Sequence, residues 1–318
     1  DATGAKVVQH EVPARDHAEA FRHAMRGQTV FAAVGHRVVH GGPRLTQHQR
    51  ITPEVIEQLR DSVHFAPLHI PATLAMIAEV ESTSPGVPQF ACFDTAFHST
   101  MPEQASRFAL PSELWDRGVR RYGFHGLSCE SVVHALGDAL PSRLVIAHLG
   151  SGASITAVRD GKSMDTSMGL TPTGGIVMSS RSGDLDPGVL LFLMRAEQLD
   201  SEKLEQLLNK ESGLMALAGS PSMKDVDGRA NQGDADAQLA IEIFCRTVAK
   251  FVAGYASVLG GLDMLVFTGG IGEHSESIRT DIIERLCCCG AFETKVMTAE
   301  EDMQIARHCR RLLGQASQ

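Results

Sequence analysis

No apolar run in this chain approaches the ~20 residues that a membrane-spanning helix needs, and no secretory signal opens it. A surplus of basic residues is missing as well. The net charge of -9 argues against nucleic acid or an anionic membrane as the main partner. A disulfide framework is also absent. The seven cysteines are an odd number without regular spacing, and they read as small semi-buried thiols in a reducing cytoplasm. Three of them, Cys287 to Cys289, stand in a row and could take a soft metal, but the plain structural reading outweighs that. Zinc-type ligand spacing, a G-x-S-x-G elbow and the dinucleotide fingerprint do not occur, which removes zinc sites, that hydrolase chemistry and hydride transfer. Internal repeats, low-complexity segments and Pro-rich linkers are lacking too. The first residue is Asp1 rather than Met, so a preceding segment is expected.

What is present alternates between strand and helix patterns, hence an α/β fold long enough for two domains. Lys6 to Val12 alternates as a strand. Asp16 to Gly27 reads as a helix, and the apolar run Thr29 to Val34 as a buried parallel strand. Thr52, Pro53 and Glu54 open a capped helix to Val63, a second helix resumes at Pro71, and Pro88 to Phe93 is a strand. Arg143 to Lys162 reads as strand, glycine turn, strand and Asp-Gly turn. Ser212 to Asp227 has no clear period. Asp234 to Leu259 is a long amphipathic helix whose apolar residues include Leu239, Phe244 and Val248. Met264 to Phe267 is a buried strand running into a Gly-rich loop, Thr268 to His274. Thr298 to Glu301 caps a last helix.

The chemistry gathers where these patterns break. Val177 to Gly188 puts Arg181, Asp184 and Asp186 on a loop among small residues, just before an apolar helix. Small residues admit a ligand to the backbone, and Arg suits phosphate or carboxylate. Arg37, His69 and His125 lie beside glycine or proline and Asp94 at a strand's end, where open α/β sheets bind ligands. Gly150-Ser151-Gly152 can cradle phosphate, although a plain glycine hairpin is the commoner meaning of such a turn. Two Arg, two His and one carboxylate suit phosphoryl transfer between anions, which depends on positioning and electrostatics.

These stretches together resemble the acetokinase family, which includes acetate, propionate and butyrate kinases. The resemblance rests on His36-Arg37-Val38-Val39-His40-Gly41-Gly42, Ala66-Pro67-Leu68-His69, Phe93 to His98, Arg121 to Gly126, His148-Leu149-Gly150, Met168 to Pro187 and Phe267 to Glu273, in the family's order. It implies a duplicated ribonuclease-H-like fold of the actin-like ATPase type with ATP in an interdomain cleft. It also implies reversible, Mg²⁺-dependent phosphoryl transfer from ATP to acetate, in a homodimer. An N-terminal domain 1–95, completed by the helix 301–318, and a C-terminal nucleotide-binding and dimerisation domain 96–300 are expected.

By the same resemblance Arg37 and Arg181 match the active-site arginines, Asp94 the catalytic aspartate, and His125 and His69 the active-site histidines. Val39, Leu68, Phe124 and Pro172 match the pocket around the acetate methyl group. His148, Gly150, Ser151 and Gly152 match the phosphate turn, and Gly269, Gly270, Ile271, Gly272 and Glu273 the adenosine loop. Glu300 matches the Mg²⁺-linked glutamate. Departures are visible. The family's opening strand and Gly-Ser-Ser loop have no counterpart before Val7, so the first domain is expected to lack its first strand. Ser151 stands for an Asn, Ile70 for another, and Ser222-Met223-Lys224 for Ser-Asp-x-Arg, with Asp225 as the displaced acid. A kinase of a short-chain acid such as propionate, and a relative that binds nucleotide or dimerises without turnover, remain alternatives.

Overall fold

The computed structural model describes residues 17–24 and 31–316. They divide into two compact units. One comprises the described part of Asp1–Ser99 with Gly126–Ser131 and Glu300–Gln318; the other comprises Thr100–His125 and Val132–Ala299.

The first unit is built on strands β1 (Val34–Val38), β2 (Gln49–Arg50) and β3 (Gln89–Phe93). β3 lies between the others, parallel to β1 and antiparallel to β2. All five residues of β3 are buried, as a strand covered on both faces requires. Its alternation separates two cores. Ala91 and Phe93 pack with Val38, Leu59, Ile70 and Ile77, drawn partly from the helices Pro53–Asp61 and Ile70–Thr83. Phe90 and Cys92 pack with Leu127, Ile305 and Cys309, the last two from the helix Glu301–Ala316. The helix at Pro53 starts as expected, with the Thr52 hydroxyl accepting from the Val55 N–H.

A part-buried clamp fastens the last helix. Glu130 accepts from His48 Nε2 at 3.0 Å and His308 Nε2 at 2.6 Å. The tautomer of His48 follows from the far side of its ring. His48 Nδ1 accepts the Phe93 N–H at 3.0 Å, so the neutral His48 ring carries its proton on Nε2; His308 Nε2 is shared between Glu130 and the Gln304 amide at 3.0 Å. Burial alone would raise the Glu130 carboxyl, but the two histidines outweigh it and bring it down from 4.5 to about 2.

The second unit holds a five-stranded sheet. Its strands are β4 (Arg143–Leu149), β5 (Ala153–Arg159), β6 (Lys162–Thr166), β7 (Met264–Thr268) and β8 (Glu293–Val296). The order is β6-β5-β4-β7-β8, with β6, β5 and β4 antiparallel and β7 and β8 added in parallel. The β5–β6 connection is the expected Asp160-Gly161 turn, both residues at positive φ. The helix Ala235–Leu259 is capped by Asp234, ends at Gly260 and packs on β5 and β4.

Several expectations are corrected. The strand expected over Thr29 to Val34 runs instead over Val34–Val38, where parallel pairing to β3 decides; Phe31 to Val34 stay partly exposed or open. The loop expected at Thr268 to His274 is a short helix, Gly269–His274, after which Ser275 opens the next helix. Ser212 to Asp227 hides two short helices, Gly213–Ala218 and Met223–Ala230. Leu239, read as part of an apolar face, is 54% exposed. The strand expected at Lys6 to Val12 lies outside the described residues, as do the ends of the helix expected over Asp16 to Gly27, described as His17–Ala24.

Because the Glu130 pKa is depressed by folding, the clamp stabilises fully above the ordinary 4.5 and loses its contribution as pH falls toward about 2. Urea unfolding of wild type and Glu130→Gln should therefore differ most near neutrality and converge across that acid window. Parallel curves over the whole range would contradict the clamp.

Candidate functional site

In the first unit the parallel pair β1 and β3 brings two expected residues side by side at its carboxyl end. Arg37 is the penultimate residue of β1, and Asp94 directly follows β3. Arg37 Nε donates to both Asp94 oxygens, at 3.2 and 3.0 Å, and Nη2 reaches Oδ2 at 2.9 Å. Glu301, at the start of the last helix, completes the group at 3.1 Å. Asp94 is 2% exposed. Burial pushes its carboxyl up and the Arg37 guanidinium only partly offsets this. For Arg37 the balance is reversed: burial works against its charge, but Asp94 and Glu301 win and its pKa rises. This arginine is therefore already neutralised by its own chain.

Other expected residues of this unit are more dispersed. His69 is half-buried, at the entry of the helix Ile70–Thr83, where its carbonyl accepts from the Thr73 N–H and hydroxyl. Val39 is half-buried just beyond β1, and Leu68, expected in an apolar pocket, is 54% exposed. Glu300 has its carboxylate 3.6 Å from Arg307 and about half exposed.

In the second unit His125, His148, Gly152 and Arg181 form one group. His125 enters the helix Gly126–Leu136 with left-handed φ 57 and ψ 25, a conformation that costs a non-glycine residue ~1 kcal/mol or more. Its ring stacks on His148, with centroids 4.2 Å apart. The neighbouring Phe124 is buried. Gly152 leaves room beside this ring. A Cβ there would stand 3.2 Å from His125 Nε2 and 3.5 Å from Arg181 Nη1. Arg181 Nη1 donates to the Pro172 carbonyl at 3.1 Å. Among the described residues no carboxylate pairs with Arg181, and burial alone lowers its pKa. A guanidinium taken from water without a counter-charge is costly, and a bound anion would relieve that cost.

A cavity of about 1150 Å³ in the same unit is lined by Gly150, Ser151, Lys224, Gly270 and Ile271, all anticipated. Ser179, Ser180, His274 and Ser277 line it too and were missed. Ser275, at the start of the next helix, is also in the lining. Asp225, Gly269, Gly272 and Glu273 support the wall rather than line it. Asp225 sits 4.0 Å from Arg229, and the Glu273 carboxylate accepts from the Gly269 and Ala299 N–H groups. Gly269 has φ +76, and a Cβ would fall 2.8 Å from the Leu149 carbonyl oxygen. A cavity of about 730 Å³ in the first unit, between Arg50, Ile56 and Leu74, contains none of the expected residues.

The His48, Glu130 and His308 ligand atoms lie within 4.8 Å of one another. The His48 tautomer argues against a metal there: its Nε2 carries the proton, and freeing that lone pair would sacrifice the Phe93 hydrogen bond.

The profile of the Acetokinase family matches residues 5–307. The acetate kinase of Sulfurovum sp. (strain NBC37-1) is 44% identical over 268 residues, 82% of this chain and 68% of that protein. The crystal structure of Porphyromonas gingivalis acetate kinase matches with a TM-score of 0.87 at 35% identity, covering 94% of this chain and 85% of the other. A propionate kinase from Francisella tularensis subsp. tularensis SCHU S4 matches with a TM-score of 0.89 at 37% identity, covering 92% and 84%. The mixed α/β fold is therefore that of the acetate kinase structures.

Gly269→Ala should cost about 2 kcal/mol of stability from the forbidden φ and the carbonyl clash. Chemical denaturation measures this; an unchanged midpoint would refute the strain.

Proposed function

The chain belongs to the acetokinase family, and from that premise we propose that it is an acetate kinase. An acetate oxygen attacks the γ-phosphorus of ATP, the bond to the β,γ-bridging oxygen breaks, and acetyl phosphate and ADP result; the step is reversible. The observation that carries this reading is Arg181, a half-buried cation without a carboxylate partner among the described residues, beside His125 and the small Gly152. Charge in the transferring group spreads over three equatorial oxygens, so donors fixed in place do most of the catalytic work. Arg181 offers planar N–H donors to those oxygens, and His125 Nε2 offers another. Arg37, held rigid by Asp94 and Glu301, supplies a second guanidinium for the carboxylate. The family resemblance assigns His69 to that group, and Val39, Leu68, Phe124 and Pro172 to the methyl group. The 1150 Å³ cavity takes the nucleotide, with Ser151 and Lys224 in the places where the family has Asn and Arg.

Mg²⁺ prefers oxygen donors and keeps several waters. Glu300 fits such an ion because its carboxylate is half exposed, whereas Arg37 occupies both oxygens of Asp94. When bound, the ion neutralises phosphate charge. We read the units as the two halves of a duplicated ribonuclease-H-like fold. The order β6-β5-β4-β7-β8, a three-stranded meander followed by two parallel strands, supports this for the second unit. Domain limits near 1–95, with the last helix, and 96–300 agree in outline with the two compact units.

A homodimer is supported by the helix Pro187–Ala196, none of whose residues is buried although Val189, Leu191, Phe192 and Met194 are 40 to 59% exposed. No helix among the described residues is long and apolar enough to cross a membrane. The seven free cysteines favour a cytoplasmic setting. Likeness to a propionate kinase supports a second reading, a slightly longer acid, since one methylene changes discrimination by only ~1–3 kcal/mol.

With acetate, ATP and Mg²⁺, wild type should form hydroxamate-trappable acetyl phosphate, and Arg181→Ala should lower kcat by about 10²–10³-fold. An inactive wild type, or a variant as active as wild type, rejects the reading; propionate in a parallel assay separates the two acids. Phe192→Asp should shift the sedimenting species from dimer to monomer, and an unchanged mass would remove that helix from the interface.

A further inference from the structure

The ring of His125 is held at both faces of its job by one β-hairpin. His148 on β4 and Ser154 on β5 are directly paired across the strands, so their side chains rise on the same face. His148 stacks on the His125 ring, with planes inclined by 21°. Ser154 Oγ lies 2.9 Å from His125 Nδ1 and is 1% exposed. Gly152, two residues earlier on the same strand approach, faces the opposite end of the ring, Nε2. The hairpin thus binds one nitrogen, and its Gly152 lies against the other, next to Arg181.

We propose that Ser154 is a positioning residue for phosphoryl transfer: its hydroxyl donates to His125 Nδ1 and so fixes the neutral tautomer with the proton on Nε2, the nitrogen that faces the Arg181 side. This rests on the acetate kinase reading for its consequence in turnover, but the tautomer itself does not depend on activity. A histidine that donates to a phosphoryl oxygen needs a hydrogen on the nitrogen pointing at it. A neutral imidazole has only one such hydrogen, and the partner of the other nitrogen decides where it sits. The Ser154 hydroxyl is confined to this nitrogen: the strand pairing of β5 fixes its backbone, and burial excludes competing water; a hydroxyl can donate or accept, and in the proposed arrangement it donates. Stacking on His148 sets the ring plane, but a stack cannot choose between tautomers. That choice is left to the hydroxyl.

Nitrogen-15 NMR of the full-length protein, with the ring assigned through His125→Gln, reads the tautomer directly. Wild type should show the Nε2–H form above the ring's titration, and Ser154→Ala should populate the Nδ1–H form. Ser154→Thr, which keeps the hydroxyl, should restore the wild-type pattern. In the acetate assay Ser154→Ala should lower kcat about tenfold with little change in either KM, and Ser154→Ala combined with His125→Ala should be no worse than His125→Ala alone. An unchanged tautomer in Ser154→Ala overturns the proposal, as does additive loss in the double variant. If wild type proves inactive, the kinase reading fails while the NMR comparison still decides whether Ser154 sets the tautomer.

Discussion

A cation out of water demands a partner, and Arg181 does not receive a carboxylate from the described residues of its own chain. It keeps one carbonyl contact, from Pro172, while burial lowers its pKa. The loop that holds it is tied down without using that charge. Met178 N–H donates to the Arg181 carbonyl, Ser182 N–H to Leu208, and Asp184 accepts from the Gly175 N–H at 2.7 Å. The backbone is fixed so that the guanidinium need not be, and the open valence is what an anion can fill.

The first unit treats its arginine in the opposite way. Arg37 is bound to Asp94 and Glu301, and its charge is balanced before any ligand arrives. Such a group is held firmly in place, but it adds little net positive field. Arg181 keeps its charge open, whereas the charge of Arg37 is already matched. Truncating either would therefore fail differently: losing Arg37 would leave a buried carboxylate uncompensated, whereas losing Arg181 would remove only a cation whose burial already costs energy.

The β4–β5 hairpin connects these electrostatics to the fold. β4 and β5 are buried along nearly their whole length, so their register cannot slip without turning core side chains outward. The same register places His148 beside Ser154 and Gly152 against His125. The packing that makes the sheet stable thus sets the ring orientation at the site. On the far side of the sheet β8 is exposed throughout and lies against β7 alone.

Local chemistry in the sequence determined a good deal. Thr52-Pro53-Glu54 starts a helix, Asp234 and Gly260 bound one, and Asp160-Gly161 turns a hairpin, because each acts within a few residues of backbone. Arg37, Asp94, His125 and Arg181 stand out as candidates for the same reason, as polar or charged side chains at element ends beside small residues. The tertiary structure decided the rest, since it depends on partners far away in the chain. Parallel pairing with Phe90 to Phe93 shifted the first strand onto Val34–Val38, and it also made Asp94 the partner of Arg37. Packing against Leu149 turned the glycines after Thr268 into a helix where composition suggests a loop. Nothing local marks Glu130 as the acceptor of two histidines, or Ser154 as the neighbour of His125, for those contacts span 82, 178 and 29 residues. A side chain's type is written in the sequence; its counter-charge and its hydrogen-bond partner exist only once the chain has folded around it.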